Sequence, residues 1–170
     1  MITRIGGRHL IYISLIMCLL SFIPASTQAS HPADYEVVPM PQRIEMQKGE
    51  PFVLNGDVQI IAGEGLQQEA GFLQAYLKDL TDLSLSLAPR REKKKAYIEL
   101  AVSPKVTSPE GYVLTINQKG ITIEGGSPAG VFYGIQTLRK SIVSRQIPAA
   151  VITDAPRFIW RGMHLDCSRH

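Results

Sequence analysis

The chain has 170 residues, with 18 Lys+Arg against 15 Asp+Glu, two cysteines and 45% hydrophobic residues, which fits one globular domain plus extra segments. Residues 1–29 contain Arg4 and Arg8 and no acid, so 16 cations and 15 anions remain beyond them, a net charge of +1. No nucleic-acid or polyanion partner therefore follows from the pI near 8.9, and with only Cys167 outside the leading segment an intramolecular disulfide is excluded there.

Residues 1–29 read as a signal peptide: a positive start at Arg4 and Arg8, an apolar run over residues 10–23, and a small-residue cleavage site at Thr27-Gln28-Ala29. The run is too short for a comfortable membrane span, which takes about 20 residues. The expectation is export to a periplasm or the extracellular space, with no membrane span after cleavage. A single anchor helix is the alternative, and Cys18 invites lipoprotein processing, against which stands the large Met17 before it.

Residues 30–36 read as a flexible lead-in, and residues 37–153 as one domain. In Val37-Val38-Pro39-Met40-Pro41-Gln42 two prolines impose an extended course. Short strands follow around Ile44, Phe52-Val53-Leu54 and Val58-Gln59-Ile60-Ile61, separated by the turn sequences Lys48-Gly49 and Asn55-Gly56-Asp57. Gly63 and Gly65 bracket the start of a helix in which Leu66, Ala70, Leu73, Leu77 and Leu80 form one apolar stripe, with Gln67, Gln68, Gln74 and Lys78 toward water. Residues 83–87 alternate Leu and Ser as a half-buried strand. The charge run at residues 90–95, with no aromatic interleaved, reads as a solvated turn.

Residues 96–100 form another strand. Tyr112, Leu114 and Ile116 then alternate with Val113, Thr115 and Asn117, Gln118-Lys119-Gly120 turns the chain, and Ile121 and Ile123 return it, which predicts a hairpin. Ser127 and Pro128 are a cap and a first helical residue. Val131, Ile135, Leu138 and Ile142, with Phe132 beside them, give the buried face of the second helix, and Gly130 and Gly134 permit a close backbone approach. The fold class is α+β: a mainly antiparallel sheet with both helices on one face, since each helix has one apolar stripe to cover.

Residues 154–170 differ in kind. From Ile159 to Asp166 a strand would place Arg161, Met163 and Leu165 on one face and Trp160, Gly162, His164 and Asp166 on the other. Neither face is cleanly polar, each mixing large apolar groups with an ionisable one, as in a sheet covered on both sides. Three runs, Val37-Val38-Pro39 with Pro41-Gln42, residues 110–124 leading into Gly130-Val131-Phe132-Tyr133-Gly134-Ile135-Gln136-Thr137-Leu138, and Pro156-Arg157-Phe158 with Trp160-Arg161-Gly162 and residues 165–170, together resemble the family 20 glycoside hydrolases, the β-N-acetylhexosaminidases. The O-GlcNAcase-type hydrolases carry a similar leading domain but a different run after the Arg-Gly. The resemblance implies an α+β amino-terminal domain followed by the first strand of a (β/α)8 barrel, which alone takes about 250 residues and would be truncated here.

It further implies an exported enzyme acting on terminal N-acetylhexosamine of glycans by substrate-assisted retaining catalysis, an exception to the two-carboxylate scheme. The family's adjacent Asp-Glu pair has no counterpart in this chain, so no catalytic residue is assigned. Arg161 matches the arginine that binds the sugar, and it is the one substrate-binding candidate. No cofactor and no metal are expected: His164, Asp166, Cys167 and His170 lack paired metal-ligand spacing, and Ser168 with His170 lacks a third orienting group. Asp166, Arg169 and His170 read as hydrogen-bonding groups at a strand end. The alternatives are a noncatalytic carbohydrate-associated or scaffold module, or the leading domain of an O-GlcNAcase-type hydrolase.

Overall fold

The computed structural model describes Tyr35 and residues 37–165. The readings of residues 1–29, of the rest of the lead-in, and of Asp166, Cys167, Ser168, Arg169 and His170 lie outside the described residues. In chain order the strands and helices are β1 (Arg43–Met46), β2 (Phe52–Val53), β3 (Gln59–Ala62), α1 (Gln67–Thr81), β4 (Ser86–Ala88), β5 (Tyr97–Val102), β6 (Tyr112–Asn117), β7 (Gly120–Gly125), α2 (Pro128–Ser141), β8 (Gln146–Ile147) and β9 (Ala150–Asp154).

Seven strands form one sheet in the order β1-β9-β6-β7-β5-β3-β4, and β2 pairs with β8 beside it. The sheet is mixed, which corrects the expectation of a mainly antiparallel one. β1 with β9, β9 with β6 and β6 with β7 run antiparallel, while β7 with β5, β5 with β3 and β3 with β4 run parallel. The cause is connectivity. The β6–β7 turn is two residues long and can only reverse the chain, whereas α1 lies between β3 and β4 as the crossover that a parallel pair requires.

Register assigns the faces. Ile60, Ile98, Leu100, Leu114, Ile116, Ile121, Ile123 and Ile152 share one face and are buried. The other face presents Glu99, Thr115, Thr122 and Glu124, each partly exposed, with Thr115 directly opposite Thr122. Both helices cover the apolar face side by side, as expected. The Phe72 and Phe132 rings meet edge to face with centroids 5.5 Å apart, and the Arg139 guanidinium lies 4.5 Å from the centre of Tyr76.

The stripe of α1 departs from the expectation at its end. Leu66, Ala70, Leu73 and Leu77 are buried, but Leu80 is 48% exposed and Thr81 is buried in its place. A turn takes 3.6 residues, so three residues from Leu77 fall short of its face by more than four pass it, and the Thr81 hydroxyl donates to the Leu77 carbonyl at 2.6 Å. Asp82 then ends the helix in the left-handed region, φ 61°. β4 is likewise shorter than the Leu/Ser alternation suggests and holds the sheet edge, with Leu87 half exposed.

α2 begins as its sequence indicates. Ser127 Oγ accepts from the Ala129 amide at 3.2 Å and donates to the Pro109 carbonyl at 2.7 Å, and Pro128 opens the helix. Gly130 lies against the backbone of Pro109 and Gly111, and Gly134 against Ile123; a Cβ at Gly130 would stand 2.2 Å from the Gly111 carbonyl oxygen. The missing side chains let α2 close on the segment that leads into β6.

A candidate sugar-binding arginine at the end of the sheet

β6 begins and β9 ends at the same edge of the fold, where Tyr112 pairs with Asp154. The chain leaves β9 through Ala155-Pro156 and returns Arg161 to the segment just before β6. One Nη of Arg161 donates to Glu110 Oε2 at 2.6 Å and the other to the Phe158 carbonyl at 2.7 Å. The Glu110 carboxylate raises the Arg161 pKa above its ordinary value, chiefly through that hydrogen bond. Both side chains are more than a third exposed, so water screens the pair and it contributes little to stability.

A cavity of about 530 Å³ opens beside this pair, walled by Val37, Gln42, Tyr112, Tyr133, Thr137 and Asp154 among others, with Arg161 on its lining. Gln42 joins its two sides: its amide donates to Asp154 Oδ1 at 3.1 Å and its Nε2 to the Ala155 carbonyl at 2.6 Å. Lys140 Nζ donates to the Val38 carbonyl. The amino-terminal segment is thereby held against α2 and the end of β9.

Tyr112 forms the floor. Its ring is buried, and its hydroxyl pairs with Thr137 Oγ1 at 2.6 Å. Desolvation by burial pushes its pKa up to about 12. An unfolded chain releases this proton near pH 10, whereas the folded chain holds it to about 12, so the stabilisation is complete below pH 10 and is lost as pH rises through that window. Urea unfolding between pH 8 and pH 11.5 should show a fall toward an eventual loss on the order of 2 kcal/mol. Tyr112→Phe should flatten this slope, leaving the part due to Tyr35, whose pKa burial also raises. An unchanged slope in the variant would contradict the assignment.

Arg161 does not sit on a strand. Residues 159–165 form no ladder, and Phe158, Ile159, Trp160, Met163 and Leu165 are 70–104% exposed. A strand with large apolar groups on both faces needs paired neighbours and a layer over each face, and the described residues supply neither for this segment. His164 is exposed, and no group of three or more His, Cys, Asp or Glu that could hold a metal occurs among the described residues. Glu110 escaped sequence reasoning because it lies 51 residues from Arg161, with no spacing rule to join them. The Tyr112–Thr137 bond escaped it too, although the position of Tyr112 at the start of an alternating strand marked it as core.

Residues 34–155 match the family description "Glycosyl hydrolase family 20, domain 2". The chain belongs to glycosyl hydrolase family 20. Among similar proteins, a beta-hexosaminidase of Porphyromonas gingivalis is 28% identical over 182 residues, covering 96% of this chain and 23% of that protein. One of Vibrio furnissii is 35% identical over 156 residues, covering 88% and 24%. A solved structure, "A Glycoside Hydrolase Family 20 beta-N-Acetylglucosaminidase", superposes with a TM-score of 0.63 at 36% identity, covering 82% of this chain and 25% of that one. The chain thus spans about a quarter of the length of these relatives. The family 20 match ends at residue 155, immediately before the segment that carries Arg161.

Proposed function

We propose that this chain is the amino-terminal part of an exported β-N-acetylhexosaminidase. The whole enzyme would remove terminal N-acetylhexosamine from glycans by substrate-assisted retaining catalysis. Its first 29 residues would direct export to a periplasm or the extracellular space, and its acid and orienting carboxylates would lie beyond His170. The observation that carries this reading is the family 20 domain-2 match over residues 34–155 running directly into Trp160-Arg161-Gly162. In this reading residues 154–170 open a (β/α)8 barrel, and the exposed apolar groups of residues 158–165 are those that adjoining strands would bury.

Arg161 would bind the sugar. A guanidinium presents five donors in a rigid fork that spans two neighbouring oxygens, and its present partners are an exposed carboxylate and a local carbonyl that sugar hydroxyls can displace. In the protein carrying the barrel, Arg161→Lys keeps the charge and loses the fork, so kcat/KM should fall several-fold to hundreds-fold with little change in Tm. Steady-state kinetics on an aryl β-N-acetylglucosaminide check this. Unchanged kcat/KM, or unfolding of the variant, would overturn the sugar-binding role.

A further inference from the structure

The loop from β4 to β5 carries Arg90, Arg91, Lys93, Lys94 and Lys95, all exposed. As a bare run these charges read as a solvated turn, because no aromatic accompanies them in sequence. The fold supplies what the run lacks. The Arg91 guanidinium lies 3.8 Å from the centre of the Tyr97 ring, a stacked geometry that holds the cation in place. That ring in turn lies across Gly120, the register partner of Tyr97, where a Cβ would come within 2.5 Å of it. Lys119, exposed on the β6–β7 turn, therefore joins the same end of the sheet.

The loop is anchored as well as charged. Gln59 Nε2 donates to Glu92 Oε1 at 2.7 Å, and Lys95 Nζ meets Glu92 Oε2 at 3.0 Å. Glu92 is the one acid in the run, and these two partners occupy it. Six of the chain's 18 cations lie in this loop and the β6–β7 turn; the acids at the same end are Glu92, Asp57 just before β3, and Asp79 and Asp82 at the end of α1, of which Glu92 is paired with Lys95 and Asp82 with Lys78. A chain close to neutral overall thus concentrates positive charge at one end of its sheet.

That end is remote from Arg161. Asn117 and Gly120 pair at the basic end, while Tyr112, Gly125 and Asp154 align at the end where residues 155–161 depart.

We propose that this basic end of the sheet, Arg90 to Lys95 with Lys119, is a docking surface for an anionic polysaccharide. The choice of a polysaccharide rests on the glycan-directed function proposed above. The local chemistry also favours it over two other polyanions. Residues 90–95 carry no apolar side chain to insert into a bilayer, and the one aromatic, Tyr97, is 9% exposed and capped by Arg91, leaving no free face on which a nucleobase could stack.

The test measures binding of the full chain to dextran sulfate, with neutral dextran, duplex DNA and anionic phospholipid vesicles as the other arms. Binding to dextran sulfate should weaken steadily with added salt, as displaced counterions require, and neutral dextran should not bind. Arg90→Glu combined with Lys93→Glu and Lys94→Glu should weaken binding roughly tenfold or more at unchanged Tm, and Lys93→Gln with Lys94→Gln should give a smaller loss. Equal affinity of wild type and variants, dextran sulfate bound no better than neutral dextran, or DNA or vesicles bound as tightly, would each overturn the proposal. The readout is binding alone, so a negative result leaves the hydrolase reading untouched.

Discussion

Gly130→Val is expected to destabilise the domain by about 3 kcal/mol or more, the upper end of what overpacking costs. Replacing a helical glycine ordinarily gains a few tenths of a kcal/mol to about 1 kcal/mol from propensity, so the sign turns on contact. At Gly130 the contact is with backbone: a Cβ would stand 2.2 Å from the Gly111 oxygen and 3.1 Å from the Pro109 oxygen. Neither atom can rotate away as a side chain would. The Gly111 oxygen also accepts from the Gly126 amide at 3.1 Å, so pushing it aside breaks a bond that joins the start of β6 to the end of β7. Glu110 lies between the two crowded carbonyls, and its hold on Arg161 should go with them. Chemical denaturation gives the stability loss; a variant as stable as the wild type would mean that α2 does not lie as close to this segment as described.

Phe52→Ala is expected to cost about 3–5 kcal/mol, the range for emptying a buried aromatic site. Phe52 is fully buried and pairs with Ile147, itself fully buried, across the short β2–β8 ladder. A two-stranded ladder of this length has little stability of its own, so the ring's packing against the core is what holds β2 and β8 in place. Against a total of about 5–15 kcal/mol for a typical domain, this is a large share of the stability and should appear as a clear drop in the denaturation midpoint. A denaturation midpoint within error of the wild type would contradict this placement of Phe52 in the core.

The elements were legible where one residue type or one period speaks for one geometry. Ser127-Pro128 marked the start of α2, Gly130 and Gly134 its close approach, and the alternation through residues 112–124 the β6–β7 hairpin. Strand direction was not legible. Ile98, Leu100, Ile121 and Ile123 alternate with polar residues whether their neighbours run parallel or antiparallel, because one face of the sheet is solvated in either case. Near helix ends the 3.6-residue period is ambiguous by one position, which is how Leu80 stood in for Thr81.

The surroundings of Arg161 were the least legible. Motif resemblance singles out the arginine, but Glu110, Gln42 and Asp154 come together only through the pairing of both β6 and β1 with β9, contacts over sequence distances no local pattern encodes. The stack of Arg91 on Tyr97 was similarly invisible, since a turn bends the chain back before the ring is reached.

The most direct test of the account is hydrolysis of an aryl β-N-acetylglucosaminide by two purified proteins: the chain ending at His170, and the protein continued to the length of its family 20 relatives. General acid catalysis needs a positioned carboxylic acid, and the adjacent Asp-Glu pair that the proposed mechanism calls for has no counterpart in these 170 residues. The account predicts no turnover by the first and turnover by the second. Turnover by the chain ending at His170, or none by the continued protein, would contradict it.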